Sequence, residues 1–348
     1  MTAIVPSIHI YNKKTQLINA DGMAGKVALI GAFDTLETNP KLFKSVGEAQ
    51  STFGDDPTYN GCKVIDKLFK GASSVLCVNI TTETSGTRNK TITTANLVTA
   101  LAKIKGEDFD ILFIADVLTD DFLPIITQFL DDIYEMKYPA GFMGAINGAN
   151  TSANVASAGL AGEHCYGLTT QSFTVKDSEL SLLESSAYYC GVVAGLNVGN
   201  SMTMKEVEGV EGLNPELSFE TGGEGKTLLE AGITTFKCQN RENGSYVVVN
   251  SELPNGYDLY INRTRDYVVK QFALHQFLGQ RNREASLNEI KQELDRVKDL
   301  CVGNLDLLKD ISYTVAKESP NCVGISIDSL LFDGIITRIN VYVRVEVE

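Results

Sequence analysis

Apolar runs alternate with helical periods along the first half of the chain. Residues 27–30 form a continuous apolar run that ends at Gly31, which is typical of a strand buried on both faces. We predict strands over 27–30, 75–80, 110–115 and 141–146, and helices over 46–53, 60–70, 94–105 and 121–137. Strands separated by helices of this length predict a mostly parallel, helix-covered sheet with right-handed crossovers.

Small residues dominate the middle of the chain. We predict that residues 178–196 form one helix able to pack closely against a neighbour through its small residues, which are Ala187, Cys190, Gly191, Ala194 and Gly195. Residues 199–225 contain repeated glycines, which predict a loop.

The last third changes to shorter elements. Asn243-Gly244 predicts the turn of a hairpin between 236–238 and 246–249, because this dipeptide favours the positive φ of a tight turn. Helices are predicted over 266–278 and from Ser286, which with Glu289 has capping-box spacing, to Gly303. Ser45 and Glu48 have the same spacing at the helix over 46–53. Strand-like alternation covers 311–316, 322–328 and 335–347.

Both ends of the chain alternate between apolar and polar residues. The apolar positions of these patterns are Ile8, Ile10, Ile339, Val341, Val343, Val345 and Val347. A strand with an apolar face needs a pairing partner, because an unpaired edge exposes backbone hydrogen-bonding groups. Either both strands close the protein's own sheet, or they are donated to a neighbouring copy in a head-to-tail contact that propagates as a helical polymer.

Composition excludes several classes of protein. With 348 residues, of which 43% are hydrophobic and 21% charged, the chain has enough apolar material for about two domains. A net charge of −14 argues against general binding to nucleic acid or anionic membranes. No apolar stretch approaches a membrane span or a signal peptide, so we expect a soluble, unexported chain. Seven widely spaced cysteines predict buried thiols, with a zinc site or disulfides as the weaker alternative.

Charge is unevenly distributed. Residues 1–235 carry 16 Lys+Arg against 28 Asp+Glu, whereas residues 236–348 carry 14 against 16, and only Arg88 precedes position 240 among the arginines.

We predict an N-terminal arm over 1–22, an acidic, outer α/β domain over 23–231, an inner α+β domain over 232–334 and a C-terminal arm strand over 335–348. The expected fold is therefore α/β (α+β overall), with a helix-covered mixed sheet.

Candidate catalytic motifs fail on inspection. The segment 222–227 resembles the end of a phosphate-binding loop, but Glu220 occupies the position that needs glycine. The neighbours His164 and Cys165 lack the residues that would complete a nucleophile pair. Paired acids at 120–121 fit a helix N-terminus, and those at 131–132 fit a solvated helix face. No catalytic, cofactor or metal residue is therefore predicted.

The order of these elements resembles the contractile tail sheath proteins of phages and the related R-type bacteriocins. The resemblance rests first on 26–81, KVALIGAFDTLETNPKLFKSVGEAQSTFGDDPTYNGCKVIDKLFKGASSVLCVNIT. It continues in SSAYYCGVVAGLNVGNSMTMKEVEGVEGLNP, in LLEAGITTFK with the following NGSYVVVNS, and in INRTRDYVVKQFALHQFLGQ. The chain has no Trp and is short for the family. The resemblance therefore does not indicate which additional elements the predicted outer domain carries.

The resemblance implies a structural protein and no enzyme or cofactor. Sheath subunits polymerise as stacked hexameric rings, in a six-start helix, around an inner tail tube; a metastable extended state contracts and drives the tube through a cell envelope. Implied partners are other copies, the tube protein, and the baseplate and tail terminator proteins, without nucleic acid or membrane insertion. The implied place is a virion tail sheath or bacteriocin particle, assembled in the host cytoplasm. The alternatives are an α/β hydrolase-like enzyme and another self-assembling, capsid-like protein.

A tube contact is the one further surface that we predict. The arginine-rich C-terminal third suggests a basic surface made by Arg281, Arg283, Lys291, Arg296 and Lys298. The alternative is an ordinary solvated helix face, on which Glu289, Glu293 and Asp295 pair with these cations.

Overall fold

Fifteen strands and eight α-helices are described in the computed structural model, which covers residues 25–136, 138–147, 153, 156, 159, 164–240, 244–273, 277, 278, 281–319 and 322–334. The strands are β1 (Lys26–Gly31), β2 (Lys41–Phe43), β3 (Ser74–Asn79), β4 (Thr82–Thr84), β5 (Thr87–Asn89), β6 (Ile111–Leu118), β7 (Gly141–Ile146), β8 (Cys165–Thr169), β9 (Ser172–Val175), β10 (Ser178–Glu179), β11 (Gly212–Asn214), β12 (Phe236–Asn240), β13 (Ser245–Val248), β14 (Asp310–Ser319) and β15 (Cys322–Leu331). The helices are α1 (Val46–Phe53), α2 (Asn60–Leu68), α3 (Thr94–Ile104), α4 (Leu123–Glu135), α5 (Leu182–Gly195), α6 (Glu224–Glu230), α7 (Leu259–Phe272) and α8 (Glu284–Asp299).

A six-stranded mixed sheet organises the larger part of the molecule. Its spatial order is β2-β3-β1-β6-β7-β8, and β2 is its antiparallel member. The apolar run of β1 pairs with β3 on one side and β6 on the other, and its residues 27–30 are fully buried. This arrangement confirms the α/β fold expected from continuous apolar runs separated by helices.

Helices α2 and α5 pack together against the sheet through glycine. A Cβ added at Gly191 of α5 would lie 2.4 Å from the carbonyl oxygen of Lys67 in α2. Nearby, Gly71 and Gly195 also approach each other closely, since a Cβ at Gly71 would lie 2.9 Å from the Cα of Gly195. The small residues of α5 therefore allow the close packing predicted for this helix.

Helix α7 joins two hydrophobic cores. Leu259 at its beginning belongs to the core around the large sheet, whereas Val268 and Phe272 belong to a second core with α8, β14 and β15. The hairpin β12–β13 contributes Phe236 and Val248 to the first core. The cores thus divide within α7, while the predicted domain boundary between 231 and 232 stays a prediction.

Polar contacts fasten α7 to the large sheet. Lys270 Nζ lies 2.7 Å from Asp110 Oδ1 and 3.3 Å from Asp108 Oδ1, both just before β6. Burial would lower the pKa of Lys270, but the two carboxylates outweigh burial and raise it. The hydroxyl of Tyr166 in β8 donates a 2.7 Å hydrogen bond to Asp266. These contacts hold α7, which contributes to the second core, against the sheet of the first core.

Three sequence predictions need correction. Helix α7 begins at residue 259, seven residues before the predicted start, because Asp258 caps it by accepting from the N–H of Tyr260, whereas Asp266 lies inside the helix. Ser286 is not a cap, since α8 begins two residues earlier and the Ser286 hydroxyl donates to the carbonyl of Arg281. Residues 178–179 form β10 and not the start of α5, because they pair with β9.

We predict that Gly191→Ala lowers the free energy of unfolding by about 2 kcal/mol, since the added methyl group meets backbone atoms that cannot move aside cheaply. Urea denaturation measures the effect. The matched control is Gly47→Ala in α1, where a Cβ meets nothing within 4 Å. That control is expected to stabilise by about 0.5–1 kcal/mol. Equal effects of the two substitutions would contradict close packing at Gly191.

Candidate functional site

Helix α8 is amphipathic and covers one face of the hairpin β14–β15. Ile290, Leu294, Val297 and Cys301 are buried along one stripe, as their spacing of three and four residues predicts. The opposite side of α8 is charged and exposed. The helix ends in a short π-helical turn, Leu300–Asn304, which carries Cys301 into the second core.

The hairpin alternates as the sequence predicts. In β14, Ile311, Tyr313 and Val315 contact the second core, whereas Ser312 and Thr314 are exposed. Strand β15 pairs antiparallel with β14 along its length. One face of the hairpin is therefore apolar and turned to α8, and the other is polar.

Helix α8 covers the apolar face only in part. Each strand has ten residues and so extends about 33 Å, whereas the 16-residue α8 is about 24 Å long. Ile311 is fully buried, but several apolar side chains of the hairpin are only half-buried: Tyr313, Val315, Val323, Ile325, Ile327 and Leu330. Within the described residues, part of the apolar surface of the second core is therefore exposed to solvent.

A groove runs between α8 and β14. It is lined by Lys291, Asp295 and Lys298 of α8 and by residues 310–315 of β14. No residue of β15 lines it, so the groove follows the side of β14 that faces away from β15. No other strand of the described chain pairs with that side. The backbone of β14 consequently presents a free edge at the floor of the groove.

Charged contacts shape the walls of the groove. Lys298 Nζ lies 2.7 Å from Asp310 Oδ1, and its hydrogen bond lowers the pKa of Asp310. The hydroxyl of Tyr313 donates to Asp295, and burial together with this carboxylate raises the pKa of Tyr313 to about 12. Lys291 makes no ion pair within the described chain, so its ammonium group is available to a partner.

The five residues predicted to contact a tube separate into three groups. Lys291 and Lys298 line the groove. Arg296 is exposed and pairs with Glu293 at 2.5 Å. Arg281 and Arg283 are exposed just before α8, without an ion pair in the described chain. The structure therefore does not gather all five on one surface, and their role stays a prediction.

The predicted inter-subunit strands lie outside the described residues. These positions are Ile8, Ile10, Ile339, Val341, Val343, Val345 and Val347. What the structure adds is the free edge of β14. Alternation alone predicted strands here, but it could not show that β14 would keep an unpaired edge beside a groove.

The discarded catalytic candidates occupy structural positions. Burial raises the pKa of the Cys165 thiol to about 12, so it is protonated at neutral pH. His164 Nε2 lies 3.0 Å from Asp131 Oδ1, and Asp132 pairs with Lys105. The segment that resembles a phosphate loop, 222–227, ends in the first four residues of helix α6.

The described residues contain neither a metal cluster nor a membrane-spanning helix. Within them, no group of three or more His, Cys, Asp or Glu side chains is arranged to hold a metal ion. None of their helices is both long and apolar enough to span a bilayer.

Comparison with known proteins identifies similar chains. A family model described as the phage tail sheath protein central domain matches residues 90–251. None of the curated proteins compared matches the sequence. The sheath tail protein from Desulfitobacterium hafniense has a TM-score of 0.70 at 12% identity, covering 94% of this chain and 97% of that one.

Two cryo-EM structures of the anti-feeding prophage are also similar. A chain of its six-fold symmetrised baseplate has a TM-score of 0.70 at 11% identity, covering 99% of this chain and 100% of that one. A chain of its helical sheath in the contracted state has a TM-score of 0.65 at 13% identity, covering 96% and 98%. At these identities the likeness shows the fold, and together with the family match it confirms the resemblance found in the sequence.

We predict that Lys298→Ala returns the pKa of Asp310 toward its ordinary value, because the ammonium hydrogen bond is its largest cause of lowering. A carboxylate with a lowered pKa keeps its pairing as pH falls until the lowered pKa is reached. Titration of the Asp310 carboxyl carbon by NMR measures this. Lys291→Ala is the matched control and should leave Asp310 unchanged; an unaltered titration in Lys298→Ala contradicts the ion pair.

Proposed function

We propose that this chain, whose residues 90–251 match the family model described as the phage tail sheath protein central domain, is the polymerising subunit of a contractile sheath. Sheath proteins are structural, so the expectation that the chain is not an enzyme is confirmed. The observation that carries the proposal is the free edge of β14 beside a half-covered apolar core. Both features call for a strand from outside the described fold.

The terminal arms are the strands that we propose for this role. An added strand would satisfy the edge hydrogen bonds of β14, and its alternate apolar side chains would extend the cover over the second core. Paired as a strand, residues 339–348 would place Ile339, Val341, Val343, Val345 and Val347 on one face and Asn340, Tyr342, Arg344, Glu346 and Glu348 on the other. Ten such residues extend about 33 Å, which matches the length of β14. Donation between copies is head-to-tail and therefore propagates.

Polymerisation through arms explains how a sheath could contract without falling apart. Main-chain pairing holds neighbouring copies together, while the bodies exchange one set of surface contacts for another. The energy is then stored as the difference between an extended and a contracted arrangement. We propose stacked hexameric rings around an inner tube, in a six-start helix. A fold shared with a chain in the contracted sheath of the anti-feeding prophage supports this proposal.

Further partners follow from the same proposal. A fold shared with a chain in a six-fold symmetrised baseplate supports association with baseplate components. An inner tube protein would lie inside the polymer and a tail terminator protein at its end. Assembly would take place in the cytoplasm of the bacterial host, in a phage or bacteriocin particle. No cofactor is required, because the subunit performs no chemistry.

The tube contact is proposed at Arg281 and Arg283. Both are exposed and without an ion pair in the described chain, so a negatively charged partner could bind them without breaking an internal contact. Lys291, Arg296 and Lys298 extend the basic character along α8, although Arg296 and Lys298 already have acidic partners.

We expect deletion of 341–348 to give a folded monomer that forms no sheath, because the donated strand is missing. Negative-stain microscopy and sedimentation velocity report the assembly state. A synthetic peptide with the sequence of 339–348 should bind the truncated protein through β14, whereas the same peptide with Val341, Val343 and Val345 changed to Asp should not.

Normal sheaths from the truncated protein would refute strand donation. Closed shells from the full-length chain would instead favour a capsid-like assembly, because a sheath must form open tubes.

Reversal of charge at Arg281 and Arg283, each to Glu, should weaken co-assembly with purified inner tubes about tenfold or more and leave the monomer folded. Pelleting of subunit with tubes measures binding, and circular dichroism checks the fold. Lys205→Glu is the control, since Lys205 is an exposed residue far from α8 in the chain. Unchanged tube assembly in the double variant would remove this surface from the proposal.

A further inference from the structure

Phe332 and Asp333, which follow β15, contact Tyr260 of α7 and Lys309 before β14. After Leu331, the carbonyl oxygen of Asp333 accepts a hydrogen bond from the hydroxyl of Tyr260. Asp333 Oδ1 also lies 2.6 Å from Lys309 Nζ. The ring of Phe332 packs edge-to-face on Tyr260, with 5.9 Å between ring centroids. One residue further on, Gly334 ends the described part of the chain.

Tyr260 is itself held firmly. It is 4% exposed and lies in the first turn of α7, where its N–H donates to the capping carboxylate of Asp258. Asp258 in turn accepts hydrogen bonds from the hydroxyls of Ser201, Thr203 and Ser251. Burial, with Asp258 and Asp333, raises the pKa of Tyr260, so its hydroxyl stays protonated and able to donate. The side chain of Tyr260 therefore has a fixed position relative to α7.

We propose that Tyr260 and Lys309 form a clamp at the root of the C-terminal arm, which sets the direction in which residues 335–348 leave the subunit. We call this the arm-root clamp, and it rests on the proposed donation of the arm to a neighbouring copy. Tyr260 and Lys309 are positioning residues, since they act through the backbone and side chain of Asp333.

The clamp acts by reducing the freedom of the arm before it pairs. An arm that leaves in one direction has less conformational entropy to lose when it binds, so the same strand contacts give tighter assembly. The clamp also connects the arm to α7, which is bound to both cores. Rotation of the subunit body would therefore also rotate the start of the arm, because no flexible linker separates the two.

The test compares Tyr260→Phe and Lys309→Ala with wild type. Tyr260→Phe removes only the hydroxyl, so the fold should keep its urea midpoint. We expect the critical concentration for polymerisation to rise about fivefold in each variant, because an arm released from the clamp loses more conformational entropy when it pairs, roughly the cost of ordering one further residue. Amide exchange of the peptide over 331–338 should become faster in the free subunit. Tyr257→Phe is the matched control, because Tyr257 is exposed and its hydroxyl makes no hydrogen bond in the described chain.

An insertion separates positioning from general stability. Two glycines placed between Gly334 and Ile335 disconnect the arm from the clamp, so Tyr260→Phe should no longer change the critical concentration in that background. Persistence of the full effect in the insertion background, or no effect of Tyr260→Phe in the wild-type background, would overturn the clamp. A chain truncated after Gly334 distinguishes the two proposals. If strand donation is wrong, this truncated protein polymerises normally. If only the clamp is wrong, the truncated protein stays monomeric.

Discussion

An antiparallel pair of strands has two outer edges, and each edge carries backbone groups that need hydrogen-bond partners. In this protein the pair is β14–β15, a long two-stranded sheet that one shorter helix covers on its apolar face. Two-stranded sheets are marginal in water unless further strands or packing support them. The hairpin therefore has unpaired backbone groups that an added strand could pair with, and the groove beside β14 is where, within the described chain, we propose that this strand fits.

The rest of the described fold gives this edge a stable base. The six-stranded sheet buries continuous apolar strands, and α7 passes from its core into the second core. Lys270 and Asp266 bind α7 to the large sheet through contacts that need no partner chain. In the proposed sheath, the subunit would rotate as one body while its arms stay paired with neighbouring copies. Glycine packing between α2 and α5 contributes in the same way, because it leaves no space for sliding.

Much of this architecture could be predicted from the sequence, because the signals are local. Buried parallel strands appear as apolar runs, and the α8 stripe identifies its buried face. Capping signals were less reliable: Asp258 and Asp266 are the same residue type, and only the folded contacts show that one caps α7 and the other binds Tyr166. Ser286 fails for a related reason, since its hydroxyl binds Arg281 instead. The groove depends on which strand pairs with which, and alternation does not contain that information.

The central claim is that the edge of β14 is free in the subunit and paired in the polymer. Hydrogen–deuterium exchange of the amides over 310–319, compared between free subunit and assembled tubes, tests it most directly. Pairing with a donated strand predicts that roughly half of these amides, those that point away from β15, become strongly protected on assembly. Unchanged exchange along β14 in well-formed tubes would contradict the account, because the copies would then be joined elsewhere.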